Sequence, residues 1–598
     1  MTRPATSRTV PSLLVLLAVL LAGALACDSL YEGSVDDDVL RKMEPGQVPT
    51  ADLILLVERV HDLVEPERGG NAIAIQGDRI LAVTDRVGVL RFRGAATRIR
   101  EYPGAHAFPG LVDAHGHLLG LGASLEELAL GDLRDLHDLV ARVAATAASR
   151  PKGSWILGRG WDQNRWPDKA MPDHHELSLA VPDHPVLLTR VDGHAVLANA
   201  KALALAGIDA RTPDPDGGRI LRDGAGEPTG VLVDYATSLV ARLVPPTGLE
   251  RVDARLLAAQ EHLLSLGLTR VHDAGIGPIV RRRLEALRDA GAWTLGVYGM
   301  LTPPAGGLPD LDESPPEALL RFRAVKLYAD GALGSRGAAL LAPYADEPGT
   351  SGLLVTPPEE LLARIREARA KGYQPCVHAI GDRANRIVLE AYREVYGAGL
   401  AKARPRIEHV QVLAPEDLEA FPATGVVASM QPTHLTSDMP WAPARLGPAR
   451  IAGAYAFRTL ADAGAPLAFG SDFPVEPASP FEGLFAAVTT VPPRDPRGAP
   501  LRPDQRMPRL GALRAFVLGP AFAAFEEDVR GRVRGGWVAD LTIVDRDLVT
   551  VPDEALLGTL VLATVVAGRL AWEPAGAGGV LSPAGTATRS GPRGPGSG

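Results

Sequence analysis

The chain has 598 residues, long for one hydrophobic core, so two or three structural units are expected. Hydrophobic residues make up 46% and charged residues 22%, the balance of a soluble globular protein, and a formal charge of -9 without a basic run argues against nucleic acid as a partner. Only two cysteines are present, Cys27 and Cys376, which excludes a thiolate zinc knuckle and argues against a structural disulfide.

At the N-terminus, Arg3 and Arg8 precede an apolar run from Pro11 to Ala26. A basic start, an apolar middle and small residues before a cut predict a signal peptide over 1–26, and the run is short for a bilayer span. No Arg-Arg pair precedes it, so the general secretory route is expected. Ala24-Leu25-Ala26-Cys27 resembles a bacterial lipobox, with Ala24 where Leu is usual. It predicts lipid attachment at Cys27 and an exported protein anchored to the bacterial membrane, on the periplasmic or cell-surface side. The same Ala-x-Ala also suits an ordinary signal peptidase, which would release a soluble secreted protein; an uncleaved anchor is the third reading. Residues 27–50, acidic with Pro and Gly, are expected to form a tether of up to ~3.5 Å per residue.

Short strand patterns follow at Asp52–Val57 and on either side of Gly77-Asp78, and again over 536–545 and 559–570. Strands at both ends of a large middle predict a small β-sandwich built from 51–108 and 511–573. Between them, over 109–510, eight candidate strands stand at 111–117, 268–274, 295–301, 324–330, 374–380, 406–412, 425–431 and 466–472. Helical patterns such as Pro358–Lys371 and Arg383–Tyr396 alternate with them. Alternating strands and helices predict parallel βα units, and eight strands predict an α/β (β/α)8 TIM barrel. The roughly 150 residues between the first two strands are too many for one crossover. Residues 125–250 are therefore expected to be an insert on the catalytic face. The Gly/Ala/Ser/Pro-rich stretch 574–598 reads as a disordered tail.

The chemistry-bearing residues sit at the ends of these strands. In Asp113-Ala114-His115-Gly116-His117, period-two alternation places 113, 115 and 117 on one face, and two imidazoles one residue apart can chelate one cation. Lys326 lies among apolar residues, where an ammonium is costly to bury unpaired. Either it pairs with Asp330, or its amine has reacted with carbon dioxide to give a carbamate that bridges two cations. His378 and His409 close the fifth and sixth strands. Asp472, after Phe469-Gly470-Ser471, can touch a metal and accept a proton, although an Asp here could also cap a helix. A barrel collects such strand ends into one pocket. His115, His117, Lys326, His378, His409 and Asp472 would then form a two-metal hydrolytic site. Zinc suits the imidazoles first, and iron or manganese would also fit.

At these residues the sequence resembles the amidohydrolase superfamily, in the amidohydrolase family 3 branch that includes N-substituted formamide deformylase. The likeness extends through Gly160–Pro167, Arg190–Ala195, Asp330–Arg336, Val377–Asn385, Arg406–Gln411 and Phe469–Glu476, within 52–547. It implies a barrel plus sandwich, a metal-dependent hydrolase, and the six metal ligands named above. Leu518-Gly519-Pro520 departs from it by breaking the helix that usually precedes the last strands. Trp161, Asp192, His194 and Arg336 are candidates for contact with substrate. Buried insert core is an equal reading for Trp161, Arg165 and Trp166, and an Asp-Gly turn for Asp192; Tyr344 is expected beside Arg336 on a mobile loop. Cys376 reads as barrel core.

The expected reaction is attack of hydroxide on a carbonyl, with Asp472 carrying the proton to the leaving nitrogen of an amide or N-substituted formamide. Ester, lactone or cyclic-amide hydrolysis uses the same attack, and a non-catalytic binding lipoprotein is the reading from another class. The expected partner is a small-molecule substrate, and the reading allows a homodimer.

Overall fold

The computed structural model describes residues 48–575 except Arg68, together with the backbone of Gly579 and Val580. The expected signal peptide, Cys27 and the tether as far as Gln47 lie outside the described residues.

Eight strands form one sheet: β1 Leu111–Gly116, β2 Leu268–Ile276, β3 Gly296–Leu301, β4 Leu320–Tyr328, β5 Gln374–Ala379, β6 Arg406–His409, β7 Val427–Met430 and β8 Leu467–Phe469. Neighbours follow chain order and every pairing is parallel. Strands covered on both faces need continuous apolar runs, and β5 and β7 are buried along their whole length. The ring closes just beyond β8, where the Asp472 N–H donates to the His115 carbonyl (2.7 Å) and the His117 N–H to that of Phe473 (2.9 Å). This is a (β/α)8 TIM barrel. Helices Leu249–Ser265, Pro278–Asp289, Pro358–Ala370 and Asp382–Tyr396 supply crossovers around it.

Between β1 and β2 the chain builds a separate six-stranded sheet, from Leu128–Ala129 to Pro228–Asp234. It has apolar centres of its own, around Leu139, Trp161 and Leu188 on one side and Leu187, Leu203 and Leu232 on the other. The terminal segments form two five-stranded sheets, each containing strands from both ends of the chain. Leu53, Ile73, Ile75, Leu541, Ile543 and Val565 share the core between them. Strand His106–Pro109 of the second sheet runs directly into β1, so this sandwich is continuous with the barrel.

Two expected boundaries need correction. The C-terminal part of the sandwich starts later than 511, because helices Arg509–Ala515 and Leu518–Ala523 pack on the barrel instead, with Leu513 and Phe516 in its core. Their break brings Gly519 so close to β8 that a Cβ would stand 1.9 Å from the Leu467 carbonyl oxygen, which only glycine tolerates. Nor is the segment beyond 574 wholly without structure. Gly579–Val580 pairs antiparallel with Arg98–Glu101 as an edge strand, because main-chain hydrogen bonds need no apolar side chains.

Candidate metal centre and substrate pocket

Parallel strands deliver their C-terminal ends to one mouth of a barrel. His115, on β1, is fully buried, and its Nδ1 lies 2.6 Å from Glu408 Oε2 on β6. Arg406 holds the other carboxylate oxygen, Nε to Oε1, at 2.8 Å. Burial opposes the charge on Glu408, yet Arg406 and His115 keep its carboxyl well below the ordinary range. An ionised carboxylate only accepts, so His115 Nδ1 donates and its Nε2 lone pair faces the mouth. His409 is fixed in the same way, Nδ1 standing 3.0 Å from the side-chain oxygen of Gln431. Burial lowers His115 to about 4 and drives His378 and His409 well below their usual value, so all three are neutral imidazoles at neutral pH.

These rings converge. The His378 and His409 centroids are 4.5 Å apart, and those of His115 and His409 4.8 Å. His117 Nε2 is 3.1 Å and His115 Nε2 3.5 Å from Asp472 Oδ1, and one ligand atom each from His115, His409 and Asp472 lies within 4.8 Å of the others. Lys326 Nζ stands 3.3 Å from His115 Nε2. The six expected ligands therefore meet in one place. Two buried imidazole nitrogens, His378 Nε2 and His434 Nε2, have no hydrogen-bond partner in this cluster. A buried polar atom left unpaired is costly, and neutral imidazoles around a carboxylate are the donor set of a divalent transition metal, so the residues fit such a cation.

Asp113 and Asp330 set the geometry. Asp113 accepts from Ser471 Oγ (2.6 Å) and from the backbone N–H groups of His115 (3.0 Å) and Ser471 (3.1 Å). It ties β1 to the turn after β8, where Asp472 takes φ 62°, a left-handed conformation that turns its carboxylate toward the histidines. Asp472 caps no helix, since the next one, Pro480–Thr489, is capped by Ser479. Against the pull of burial, His115, His117 and His434 hold the Asp472 carboxyl well below its ordinary value. Asp330 is not the partner of Lys326. It accepts from the N–H groups of Ala339 (2.8 Å), Ile380 (2.9 Å) and Gly381 (2.8 Å), anchoring the loops after β4 and β5. Among the described residues Lys326 has no carboxylate within 4.0 Å, and burial lowers its pKa.

A cavity opens from Asp472, His378 and His409 toward the insert, which lines it with Asp162, Arg165, Arg190, Asp192 and His194. Asp192 is paired with the buried Arg190 guanidinium. His194 Nδ1 lies 2.7 Å from Asp234 Oδ1, and its ring centroid is 5.1 Å from that of His378. Burial disfavours the His194 cation, but the Asp234 carboxylate outweighs it and raises the pKa.

Two of the residues expected to contact substrate, Trp161 and Arg336, do not line this cavity. Trp161 is wholly buried in the insert core, its indole N–H given to the Leu188 carbonyl at 2.8 Å. Its apolar area is worth more there than at a wet entrance. Arg336 pairs with Asp346 (3.0 Å) and Glu347 (3.0 Å), and Tyr344 is buried with its hydroxyl on the Ala338 carbonyl (2.8 Å). Sequence reasoning missed His434, whose ring is stacked on that of His409 at 5.8 Å. Its signal was its place three residues past the seventh candidate strand, where the other ligands also cluster. It also missed the locking role of Glu408, which stands inside the stretch Arg406–Gln411.

A family model described as "Amidohydrolase family" matches residues 103–571. The chain belongs to the amidohydrolase family. Among similar amidohydrolases, a protein named as such, YtcJ of Bacillus subtilis (strain 168), is 33% identical over 83% of this chain and 97% of its own. The N-substituted formamide deformylase of Arthrobacter pascens is 27% identical over 88% of this chain and 99% of its own. A crystal structure of an uncharacterized metal-dependent hydrolase from Pyrococcus furiosus superposes with a TM-score of 0.66 and 30% identity, covering 83% of this chain and 100% of that one. The family match spans the barrel, the insert and the C-terminal strands of the sandwich.

Proposed function

We propose that this amidohydrolase is a metal-dependent hydrolase that cleaves the C–N bond of an amide or N-substituted formamide. The observation that carries it is the meeting of neutral His115, His378 and His409 with the ionised Asp472 at the floor of an open cavity. The deformylase and the Pyrococcus hydrolase, alike over nearly their whole length, support it.

His115, His117, His378, His409, Asp472 and a carboxylated Lys326 would hold one or two divalent cations, zinc first, with iron or manganese suited to the same donors. When bound, such a cation supplies a polarised carbonyl and a water whose pKa falls from about 15.7 toward 7. Lys326 reaches its carboxylated form because burial favours the free amine. That amine adds to carbon dioxide, a C–N bond forms, and the nitrogen releases one proton, leaving an anion. Asp472 takes a proton from the attacking water and hands it to the leaving nitrogen. His194, whose pKa the Asp234 carboxylate raises, would offer a hydrogen bond from the cavity wall to the substrate oxygen. Leu333, Ile380 and Trp441 line the same cavity and take the apolar part of the substrate.

Turnover of a panel of N-formyl, N-acyl and ester compounds, with metal content measured on the same samples, tests the reading. Release of amine or formate that tracks bound metal is the expected result. Hydrolysis confined to esters would overturn the C–N assignment, and turnover unchanged by complete metal removal would overturn the metal.

Among the described residues, no helix is long and apolar enough to cross a membrane. The motif at Cys27 leads us to expect a mature chain that starts there and carries lipid. Mass spectrometry of the native N-terminus decides, and an unmodified Cys27 or an intact Met1 would refute it.

A further inference from the structure

We propose a second transition-metal site, outside the barrel, formed by His61, His106 and Asp547 in the terminal sandwich. Three chain segments bring these residues together. His61 follows the short strand Arg59–Val60, His106 opens the strand that leads into β1, and Asp547 lies three residues after the strand Leu541–Val544. The three strands are neighbours in one sheet, with His106 facing Arg59 on one side and Val544 on the other. His61 and His106 therefore project from adjacent strands, and their facing nitrogens, Nε2 and Nδ1, are 3.0 Å apart. Asp547 Oδ1 is 3.7 Å from His61 Nε2, and one ligand atom from each residue lies within 4.8 Å of the others.

Donors on a tetrahedral zinc with bonds of about 2.0–2.1 Å stand about 3.3 Å apart, so the observed spacing needs only small side-chain adjustment. The ligands are oriented by groups outside the site. The His61 ring stacks on Phe108 at 4.2 Å and 4°. Asp547 accepts from the Val549 N–H (2.9 Å) and the Thr550 hydroxyl (2.9 Å), which fixes its carboxylate toward the two rings. Arg59, the nearby cation, is turned onto the Pro66 carbonyl at 3.4 Å. Burial disfavours the cationic form of both imidazoles, and the neutral form is the one that binds metal.

Only one proton fits between His61 Nε2 and His106 Nδ1. Metal entry moves that proton to the other nitrogen of the ring that carried it, and both facing lone pairs then point at the cation; no other proton need be lost. Two imidazoles and one carboxylate leave a fourth position for water, and His106 and Asp547 are partly exposed, so the cation has a path in. The ligand class is a divalent ion of the zinc type. Its effect is a clasp between the N-terminal strands, the lead-in to β1 and the C-terminal strands.

The test counts zinc by elemental mass spectrometry in zinc-loaded, dialysed full-length protein and in His61→Ala, His106→Gln and Asp547→Asn. Each variant is expected to hold about one zinc fewer per chain than the wild type and to lose part of the zinc-induced rise in melting temperature. The barrel metal should stay, because its ligands are untouched. His106→Gln replaces a partly exposed side chain with another hydrogen-bonding one, so it keeps the question answerable if His61→Ala fails to fold. Equal zinc counts and equal melting shifts in wild type and folded His106→Gln would overturn the site.

Discussion

Glu408 Oε2 stands 2.6 Å from His115 Nδ1, and both side chains are fully buried. The carboxylate fixes which His115 nitrogen carries the proton, and through it the direction of the lone pair at the barrel mouth. Glu408→Gln should therefore weaken metal binding by roughly 10–100-fold. Because it leaves the buried Arg406 without its counter-charge, it should also cost about 3–5 kcal/mol of stability. Metal titration of the folded fraction and urea denaturation read the two effects separately. Native metal affinity in the variant would show that the tautomer is set elsewhere.

Among the described residues Lys326 has no carboxylate within 4.0 Å, so its removal should be felt through metal rather than through a broken ion pair. Lys326→Ala is expected to lose bound metal and turnover together, and small carboxylates in bicarbonate-free buffer should partly restore both. A folded Lys326→Ala with wild-type metal content would rule out the carbamate bridge.

Asp472→Asn should keep much of the metal, since the histidines around it remain. Proton transfer from the attacking water then has no acceptor, and the rate should fall on the order of 10²–10⁴-fold. Single-turnover measurements on metal-replete variant protein check this. An equal loss of metal and rate would make Asp472 a ligand before a base.

Trp161 and His194 belong to the same insert but should behave oppositely. Trp161→Ala empties a fully buried site and should cost about 3–5 kcal/mol, read by denaturant midpoint, with the kinetic constants of the folded fraction nearly native. His194→Asn should leave stability closer to native and lower kcat about 10–100-fold, the worth of one hydrogen bond from a charged donor. A changed KM for Trp161→Ala would return that residue to the pocket.

Asp438, at the cavity wall, accepts from the Tyr455 hydroxyl at 2.8 Å, and burial pushes its carboxyl up from 3.8 to about 7. The folded chain therefore favours the neutral acid. This contribution is whole below about pH 4, where folded and unfolded forms are both protonated, and is lost as pH rises through about 7. Asp438→Asn mimics the neutral acid. Its stability should rise relative to wild type across pH 4 to 7, by up to about 4 kcal/mol. Denaturation midpoints of both proteins over that range test it, and a constant difference would refute it.

The order of the eight barrel strands was legible because each is a short apolar run, and five of them carry at or near the C-terminal end a polar residue that a core would not otherwise keep. His115, Lys326, His378, His409 and Asp472 could be singled out on that ground alone, since strand period and position decide which end and which face a residue occupies. The oversized interval after β1 likewise required a separate layer, because a crossover has a natural length. Trp161 and Arg336 could not be placed by such reasoning. Whether an indole lines an entrance or fills a core depends on which other segments, here the strand holding Leu188, come to lie against it. The same holds for Asp330, which meets the N–H groups of Ala339, Ile380 and Gly381 only once β4 and β5 are side by side. Local pattern thus determined the strands and the chemistry at their tips. Tertiary packing alone decided the hydrogen-bond partners that fix tautomers, the residues that face the cavity, and the meeting of His61, His106 and Asp547, because contacts between distant segments leave no periodic trace in the chain.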